Sequence, residues 1–542
     1  MKVLVLGGYG VFGERLARLL VKDGHAVCIA GRNQVAAQRL AGEIGGAARR
    51  MDRNGPLDAL AEHDVIVDAA GPFHAYGDDP YRLARAAIAQ GVHYLDLSDN
   101  AGFCADIARL DAEARAAGLC VISGLSSVPA LSSAAVQALA AGKTPQMIDS
   151  AILPGNRSPR GLSVMQSILE QAGRPIMVWR GGRWTRANGW SAPARYDLPG
   201  GVTRQGWLIE VPDLRLFPAH FNAETVVFRA GLELWVMRYG LAAFALLRRV
   251  VPIPITRPLV RVFKLLADAL GPFGSGRGGM SVTVITAQER RSWTLLAEGG
   301  DGPFIPAVAA RALLRRPALP VGAGPALGVI TLDEAESAMT DLRVTTRRDS
   351  QPLDPIFPRV LGSDFAKLPA EIRETHLTAG QSRWEGRSTV TRGTGAWPRL
   401  LALLFGFPPA APDMAVTVTK SADTQGETWE RRFGERRFRS FLRATPDGMT
   451  ERFGPFTFTL GLRVQDGALL YPVKAGRIGP IPLPRWLLPV SEASETVNEG
   501  RFHFDVALRA PITGALIVRY RGWLTRARRD DPAAPPPVPQ QA

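Results

Sequence analysis

The sequence predicts an α/β protein that opens with a doubly wound parallel sheet. A mixed α+β domain and a C-terminal antiparallel, β-rich α+β domain are expected to follow. Three observations support this prediction. A glycine-rich turn follows an apolar run at the N-terminus, apolar runs alternate with amphipathic stretches to about residue 140, and short alternating runs fill the chain beyond residue 355. At 542 residues the chain is long enough for several domains.

The N-terminal stretch has the pattern of a βαβ unit. An apolar run at 3–6 leads into a glycine turn, an amphipathic helix and a second apolar run at 26–30. Gly8 and Gly10 allow the backbone to approach a pyrophosphate, Gly13 allows close helix packing, and the helix N-terminus favours an anion. The pattern therefore predicts a Rossmann dinucleotide site. The expected cofactor contacts here are Gly7, Gly8, Tyr9, Gly10, Val11, Phe12 and Gly13.

The end of the second apolar run indicates which dinucleotide binds. NAD-binding units usually carry a carboxylate here for the ribose 2′-hydroxyl, whereas an arginine accommodates a 2′-phosphate. The chain has Gly31, Arg32 and Asn33 at this point. Arg32 can pair with the phosphate, and Asn33 is expected beside it. NADP(H) is therefore favoured, the alternative being that Arg32 is a solvated surface residue.

Loops at the carboxyl ends of the later strands should share one rim with the glycine turn, because ligands bind at that edge of a parallel sheet. This rule places Asp52 near the adenine end, although Asp52 could equally cap the next helix. The next loop on the rim comprises Ala70, Gly71, Pro72 and Phe73. His74, Tyr76 and Asp96 could reach the nicotinamide end, but a structural role is favoured for each. The spacing of the residues identifies no catalytic acid or base.

These stretches together resemble the saccharopine dehydrogenase-like NADP-binding family, which includes trans-acting enoyl reductases of lipid synthesis. The resemblance rests on the glycine turn and on the segments 30–33, 69–73, 93–98 and 127–129. It implies a Rossmann domain and a pyridine nucleotide. The segment 278–303 extends it to about residue 345. Further on, the chain resembles the DUF4166 domain in the segments 433–434, 453–455, 504–506 and 520–524.

The pattern also predicts the domain limits. A Rossmann NADP-binding domain is expected at 1–140, a mixed substrate or dimerisation domain at 141–346, and a polar, proline-bearing linker at 347–355. The DUF4166-like domain is expected at 356–526, where a curved sheet could enclose an apolar ligand. A disordered tail is expected at 527–542.

Residues 230–270 combine an apolar helix, expected at 230–247, with a cationic amphipathic one at 257–270. Arg257, Arg261 and Lys264 repeat at helical spacing along the second. The favoured interpretation is a core helix pair or a homodimer interface with a solvated basic edge. The alternative is peripheral contact with an anionic membrane surface. The polar interruptions Glu233 and Arg238 argue against a membrane-spanning helix.

Composition limits the remaining functional classes. The net charge is +15, but the arginines are scattered and no nucleic-acid-binding motif is present, so a nucleic-acid partner is not expected. The three cysteines and seven histidines show no metal-type spacing, and no metal is expected. Without a disulfide framework or signal peptide, a cytoplasmic protein is expected, with the inner membrane surface as its alternative location.

The sequence thus favours an NADP(H)-dependent oxidoreductase acting on a small molecule, of which a lipid or another apolar intermediate is one candidate. Hydride chemistry belongs to the cofactor, so the absence of an evident acid–base pair does not exclude an enzyme. The alternative is a non-catalytic NADP(H)-binding or sensing module whose C-terminal domain binds a lipid or protein partner.

Overall fold

The computed structural model describes residues 1–159, 161–378, 380–422 and 425–536, without the side chains of His74 and Ser163. Its first sheet is parallel, with the strands β1 (Lys2–Leu6), β2 (Ala26–Gly31), β3 (Ala47–Arg50), β4 (Val65–Asp68), β5 (His93–Asp96) and β6 (Cys120–Ser123). The accompanying helices are α1 (Val11–Lys22), α2 (Gln34–Ile44), α3 (Arg82–Ala89), α4 (Ala101–Asp106), α5 (Asp111–Ala116) and α6 (Ser132–Ala140).

The spatial order β6-β5-β4-β1-β2-β3 is that of a doubly wound dinucleotide-binding sheet, as predicted. Both faces of this sheet are covered. Val3 and Val5 pack into one apolar core, while Leu4 and Leu6 pack into another on the opposite face. This burial on both sides explains why β1 is a continuous apolar run rather than an alternating one.

A mixed sheet follows the parallel one. Its strands here are β7 (Met147–Leu153), β8 (Pro175–Arg180), β9 (Arg183–Asn188), β10 (Ala194–Leu198), β11 (Val202–Leu208), β12 (Thr225–Gly231), β13 (Gly278–Ile285) and β14 (Glu289–Ala297). The helices are α7 (Leu162–Gln171), α8 (Pro212–His220), α9 (Trp235–Val250) and α10 (Arg257–Ala269). The helix expected from Ala230 begins only at Trp235, because Ala230 and Gly231 end β12, paired with β11.

The chain then returns to the parallel sheet. The elements are α11 (Ile305–Leu314), β15 (Gly322–Pro325), α12 (Leu332–Ser337) and β16 (Val344–Pro352). Strand β15 pairs with β6 as a seventh parallel strand, so the limit expected at residue 140 leaves part of the nucleotide-binding sheet out. The linker expected at 347–355 is also wrong through Pro352. That stretch is a strand at the edge of the mixed sheet, where polar residues and a terminal proline are tolerated.

The C-terminal region forms one antiparallel sheet, as predicted. Its helices are α13 (Ile356–Leu361), α14 (Ala370–His376) and α15 (Ala396–Leu404). Its strands are β17 (Gln381–Arg392), β18 (Ala411–Ala422), β19 (Glu427–Phe433), β20 (Arg436–Thr445), β21 (Gly448–Phe453), β22 (Phe456–Leu460), β23 (Arg463–Gln465), β24 (Ala468–Leu470), β25 (Val473–Ile478), β26 (Ile481–Pro482), β27 (Val490–Asn498), β28 (Arg501–Arg509) and β29 (Leu516–Arg526). These strands form a single sheet with its own apolar core.

Disorder was expected from Ala527, and this expectation is wrong for the first residues of the tail. The carbonyl of Arg528 accepts a hydrogen bond from the Arg183 side chain at 3.0 Å, and Asp530 accepts one from the Trp184 backbone at 3.0 Å. The β8–β9 hairpin therefore holds this segment. The part of the expectation that concerns 537–542 lies outside the described residues. Among the helices that the structure describes, none is both long and apolar enough to cross a membrane.

Candidate nucleotide site and adjoining cavity

The glycine turn is held tightly against its neighbours. Gly7 has a positive φ of 73°, and its N–H donates to the Ala30 carbonyl at 2.8 Å. A Cβ at Gly7 would lie 2.6 Å from the Ala70 Cα, in the loop after β4. A Cβ at Gly13 would meet the Gly7 carbonyl oxygen. Glycine is therefore required here by backbone packing, and the resulting cradle fits a pyrophosphate.

Helix α1 points its N-terminus at this turn. Gly10 is the N-cap residue and offers no capping side chain, and the Glu14 N–H donates to the Gly10 carbonyl at 3.0 Å. The preceding amides of Val11, Phe12 and Gly13 have no intrahelical acceptor, as in any first helical turn. These donors and the helix dipole form the anion-binding end of the site.

A second cleft, of about 470 Å³, adjoins the end of β2. Six residues line it: Tyr9, Arg32, Asn33, Gln34, Val35 and Arg50. The backbone of Gly31 lies opposite Arg50 in the strand register, so Arg32 and Arg50 leave adjacent strand ends on the same rim. Both arginines are exposed. Two guanidinium groups at this position can hold the 2′-phosphate of NADP(H) from two strands.

Sequence reasoning did not identify Arg50. The same rim rule that selected Asp52 could have found Arg50, because β3 ends at Arg50 itself. Asn33 lines the cleft, but its side chain is engaged, since its Oδ1 accepts the Ala36 N–H at 3.1 Å and caps α2. Tyr9 shapes the cleft, and its hydroxyl accepts the Asn33 N–H at 3.1 Å.

The other rim residues mainly hold the backbone in place. The Asp52 Oδ1 accepts the Asn54 N–H at 3.0 Å, which closes a local turn. The Ala70 N–H donates to Asp68 at 2.9 Å, and the Gly71–Pro72 peptide is cis. The Phe73 ring is buried against Tyr76 and Phe103, away from solvent. The backbone of this loop, rather than its aromatic ring, therefore meets the glycine turn.

The residues considered for the nicotinamide end have structural roles where they are described. The Tyr76 hydroxyl donates to Asp68 at 3.0 Å. Asp96 is fully buried and accepts hydrogen bonds from Ser98, Ser123 and Gly124 at 2.8–2.9 Å. Burial raises the pKa of Asp68 to about 6 and that of Asp96 to about 7. The side chain of His74 lies outside the described part of the chain.

A large cavity of about 1100 Å³ begins at the same rim. Phe12 from α1 and Ser127 and Val128 after β6 line its rim end. The walls beyond come from α7, α9, α10 and the mixed sheet. They are mainly apolar and include Met165, Ile168, Leu241, Phe263, Ala267 and Met280. The cavity therefore joins the edge of the nucleotide-binding sheet to a long apolar compartment.

Polar side chains gather where this cavity meets the rim. Asp99 and Asn100 lie in the loop after β5, and Glu210 and Arg215 approach from the mixed domain. Burial raises the pKa of Glu210, although Arg215 opposes the shift. The Asn100 Oδ1 accepts the Phe103 N–H at 2.9 Å and caps α4. Sequence reasoning overlooked this group, although Asp99 and Asn100 lie at a strand end on the rim.

Comparisons with known proteins agree with this geometry. Residues 3–122 match the family model of the saccharopine dehydrogenase NADP binding domain. Residues 368–524 match that of a domain of unknown function, DUF4166. The chain thus carries an NADP-binding domain of the saccharopine dehydrogenase type followed by a DUF4166 domain, as the sequence resemblance implied. The particular relation to trans-acting enoyl reductases stays a prediction.

Comparisons with solved structures and with curated proteins give weaker similarities than the family models. Saccharopine dehydrogenase (L-Glu forming) from Saccharomyces cerevisiae is 15% identical over 64% of this chain and 99% of its own, with a TM-score of 0.45. BdcA from E. coli is 26% identical over 22% of this chain and 81% of its own, with a TM-score of 0.19. No curated protein matches the sequence significantly.

Proposed function

We propose that this protein is an NADP(H)-dependent oxidoreductase whose substrate is a lipid or another apolar intermediate. The observation that carries the proposal is the continuity of the apolar cavity with the rim of the nucleotide-binding sheet. A substrate held there would have its reactive group at the rim and its apolar body among α7, α9 and α10. Large apolar cavities with a few polar groups at one end are typical of ligand sites.

The chain's own residues supply binding and orientation. The glycine turn and the amides of α1 would hold the pyrophosphate, and Arg32 with Arg50 would hold the 2′-phosphate. When bound, NADP(H) supplies or accepts the hydride. With a substrate bound, the mainly apolar walls would keep water away from it, which favours hydride transfer to the substrate over competing reactions.

Hydride transfer can be tested with NADPH deuterated at its transferable position. The full-length protein is incubated with this cofactor and a total lipid extract, and organic-soluble products are examined by mass spectrometry. NADPH deuterated on either face of the nicotinamide ring is tested in separate reactions. We expect deuterium in an apolar product. Retention of all deuterium on the nucleotide, despite NADPH binding, would favour a non-catalytic NADP(H)-sensing module.

Two variants on one helix test where the substrate binds. Ala267 is buried on α10 and lines the cavity, whereas Ala269 is exposed on the same helix. Ala267→Phe should narrow the apolar compartment next to α10 and impair transfer without changing NADPH affinity. Ala269→Phe adds the same group and should leave transfer intact. Equal activity of the two variants would place the substrate elsewhere.

We further propose that α9 and α10 form the face through which an apolar substrate enters from an anionic membrane surface. Trp235, Tyr239 and Val250 on α9 and Leu265 on α10 are each more than half exposed. Three arginines beside them are also exposed: Arg249, Arg257 and Arg261. Leu266 is exposed and lines the cavity as well, so this face adjoins its interior. Exposed apolar and cationic groups on neighbouring helices suit a surface of anionic lipid.

Membrane contact is tested by co-sedimentation with vesicles of phosphatidylcholine, with and without phosphatidylglycerol. Reversing Arg257 and Arg261 to glutamate should lower binding to anionic vesicles at least tenfold, given about 1 kcal/mol per basic residue near such a surface. Reversing Arg436 and Arg437, which are exposed on the C-terminal sheet, is the matched control. Equal loss with both pairs would indicate a general charge effect. The homodimer expected from the sequence stays a prediction.

A further inference from the structure

The C-terminal sheet encloses a second cavity, of about 170 Å³, separate from the nucleotide site. Most of its lining is apolar and aromatic, with Val418, Phe433, Leu442, Met449 and Phe458 contributed by consecutive strands from β18 to β22. A cavity of about 170 Å³ is slightly larger than an engineered cavity of about 150 Å³ that holds a benzene-sized molecule. The space therefore suits one small apolar group or one segment of a longer chain.

One end of this cavity is polar. Lys420, which is 1% exposed, donates from Nζ to the Thr375 carbonyl at 2.7 Å and lies 3.8 Å from the centre of the Trp429 ring. Glu495 lies against the buried His376, with 2.5 Å between Oε2 and Nε2. The Tyr471 hydroxyl is 3.3 Å from the same nitrogen. Lys420, Thr375, Glu495 and Tyr471 all line the cavity.

Thr375 gives this end an unused hydrogen-bonding group. The residue is 1% exposed, and its Oγ1 makes no hydrogen bond to any residue that the structure describes. Burying a hydroxyl without a partner is unfavourable. The Lys420 ammonium also has three N–H donors, of which the Thr375 carbonyl takes one. Both groups can therefore serve an oxygen atom of a ligand.

The groups around the cavity carry no excess positive charge. Lys420 and Arg431 face Glu495 and Glu451, and Arg431 pairs with Glu451 at 3.0 Å. Lys420 also interacts electrostatically with the buried Glu427, and burial lowers the pKa of Lys420. Burial lowers the pKa of His376 to about 4, so this imidazole is neutral at physiological pH. A ligand carboxylate would add a negative charge to a buried set of groups that has no excess positive charge to pair with it, which is unfavourable. A neutral oxygen atom of a ligand would add no charge.

We propose that the C-terminal domain binds an apolar molecule with a neutral oxygen head group, such as an alcohol, ketone or ester, in this cavity. The head-group oxygen accepts a hydrogen bond from Lys420 Nζ and meets the Thr375 hydroxyl. The apolar part lies among the aromatic side chains of β19 to β22. This site is independent of the nucleotide site.

The proposal is tested on the full chain with a photoreactive diazirine analogue of octanol, followed by peptide mass spectrometry. We expect adducts on residues 416–460, with octanol competing at least tenfold better than octanoate. The Ala267→Phe variant, with its altered N-terminal cavity, should keep these adducts. Absence of labelling on these strands, or equal competition by octanoate, would overturn the proposal.

A pair of isosteric variants then tests the head-group contact. Thr375→Val should weaken octanol competition about fivefold to tenfold, the usual effect of one neutral hydrogen bond. Thr378→Val is the matched control, because Thr378 is also buried and its Oγ1 also lacks a hydrogen bond among the described residues, but it does not line the cavity. If Thr375→Val binds octanol as the parent protein does, or if both variants lose binding equally, the assigned contact is wrong.

Discussion

Replacing Arg50 with glutamine should weaken NADPH binding selectively. The Arg50 side chain is exposed at the end of β3 and lines the cleft beside Arg32. Among the described residues no ion pair to Arg50 is found, so the substitution breaks no ion pair within the protein. A hydrogen bond to a charged group contributes about 1.5–3 kcal/mol, and the lower value applies to an exposed, solvent-screened site. The expected loss is therefore about tenfold.

The assay is a fluorescence titration with NADPH and, in parallel, with NADH. NADH lacks the 2′-phosphate, so its affinity should not change. Arg49→Gln is the matched control, because Arg49 is the neighbouring residue of the same strand but pairs with Glu62 at 2.7 Å and 3.1 Å. An unchanged NADPH affinity in Arg50→Gln, or an equal loss for both nucleotides, would refute the assignment of Arg50 to the 2′-phosphate.

Three further outcomes can be measured. Gly13→Val should abolish binding of both nucleotides, since its side chain would meet the carbonyl of the glycine turn, and calorimetric titration would detect any residual affinity. Arg311→Met should lower the free energy of unfolding in urea by about 3 kcal/mol, because the 1%-exposed guanidinium pairs with Asp23 and Asp341; a loss below about 1 kcal/mol would contradict this. Because the pKa of Asp96 is raised to about 7 in the folded protein, protonation of this carboxyl stabilises the fold. This stabilisation is fully present below about pH 4 and is lost as the pH rises to about 7. Asp96→Asn should remove this dependence, about 2.7 kcal/mol when urea unfolding is compared at about pH 5 and about pH 8; parallel pH profiles of the two proteins would contradict it.

The nucleotide half of the fold could be predicted because its signals are local. Each apolar run of the parallel sheet is a strand, and the glycine turn lies between β1 and α1, where the spacing placed it. Strand β15 could not be predicted in this way. Its sequence at 322–325 has little β propensity, and it becomes a strand because it pairs with β6, about two hundred residues earlier in the chain.

The site residues also fall into those that a local pattern predicts and those that depend on long-range pairing. Arg32 could be selected from its own βαβ unit. Arg50 can be recognised as a candidate phosphate ligand only once β3 is known to pair with β2. The polar edge strand β16 has the composition of a linker, because pairing with β14 rather than side-chain burial makes it a strand. The cavity depends on how α7, α9 and α10 pack over the mixed sheet, and no local pattern in the sequence specifies that arrangement.

The pairing of β15 with β6 determines which parts of the chain can fold independently. Helix α11, which is buried at every residue except Pro306, packs in the same core as α1 and Trp293 of the mixed sheet. A fragment ending near residue 140 would lack both α11 and β15, and would expose the apolar surfaces they cover. The nucleotide-binding and mixed sheets should therefore unfold in one cooperative transition, while the C-terminal sheet, with its separate core, melts on its own. A cut by protease near residue 355 would then leave two folded pieces, and a cut near residue 140 would leave none.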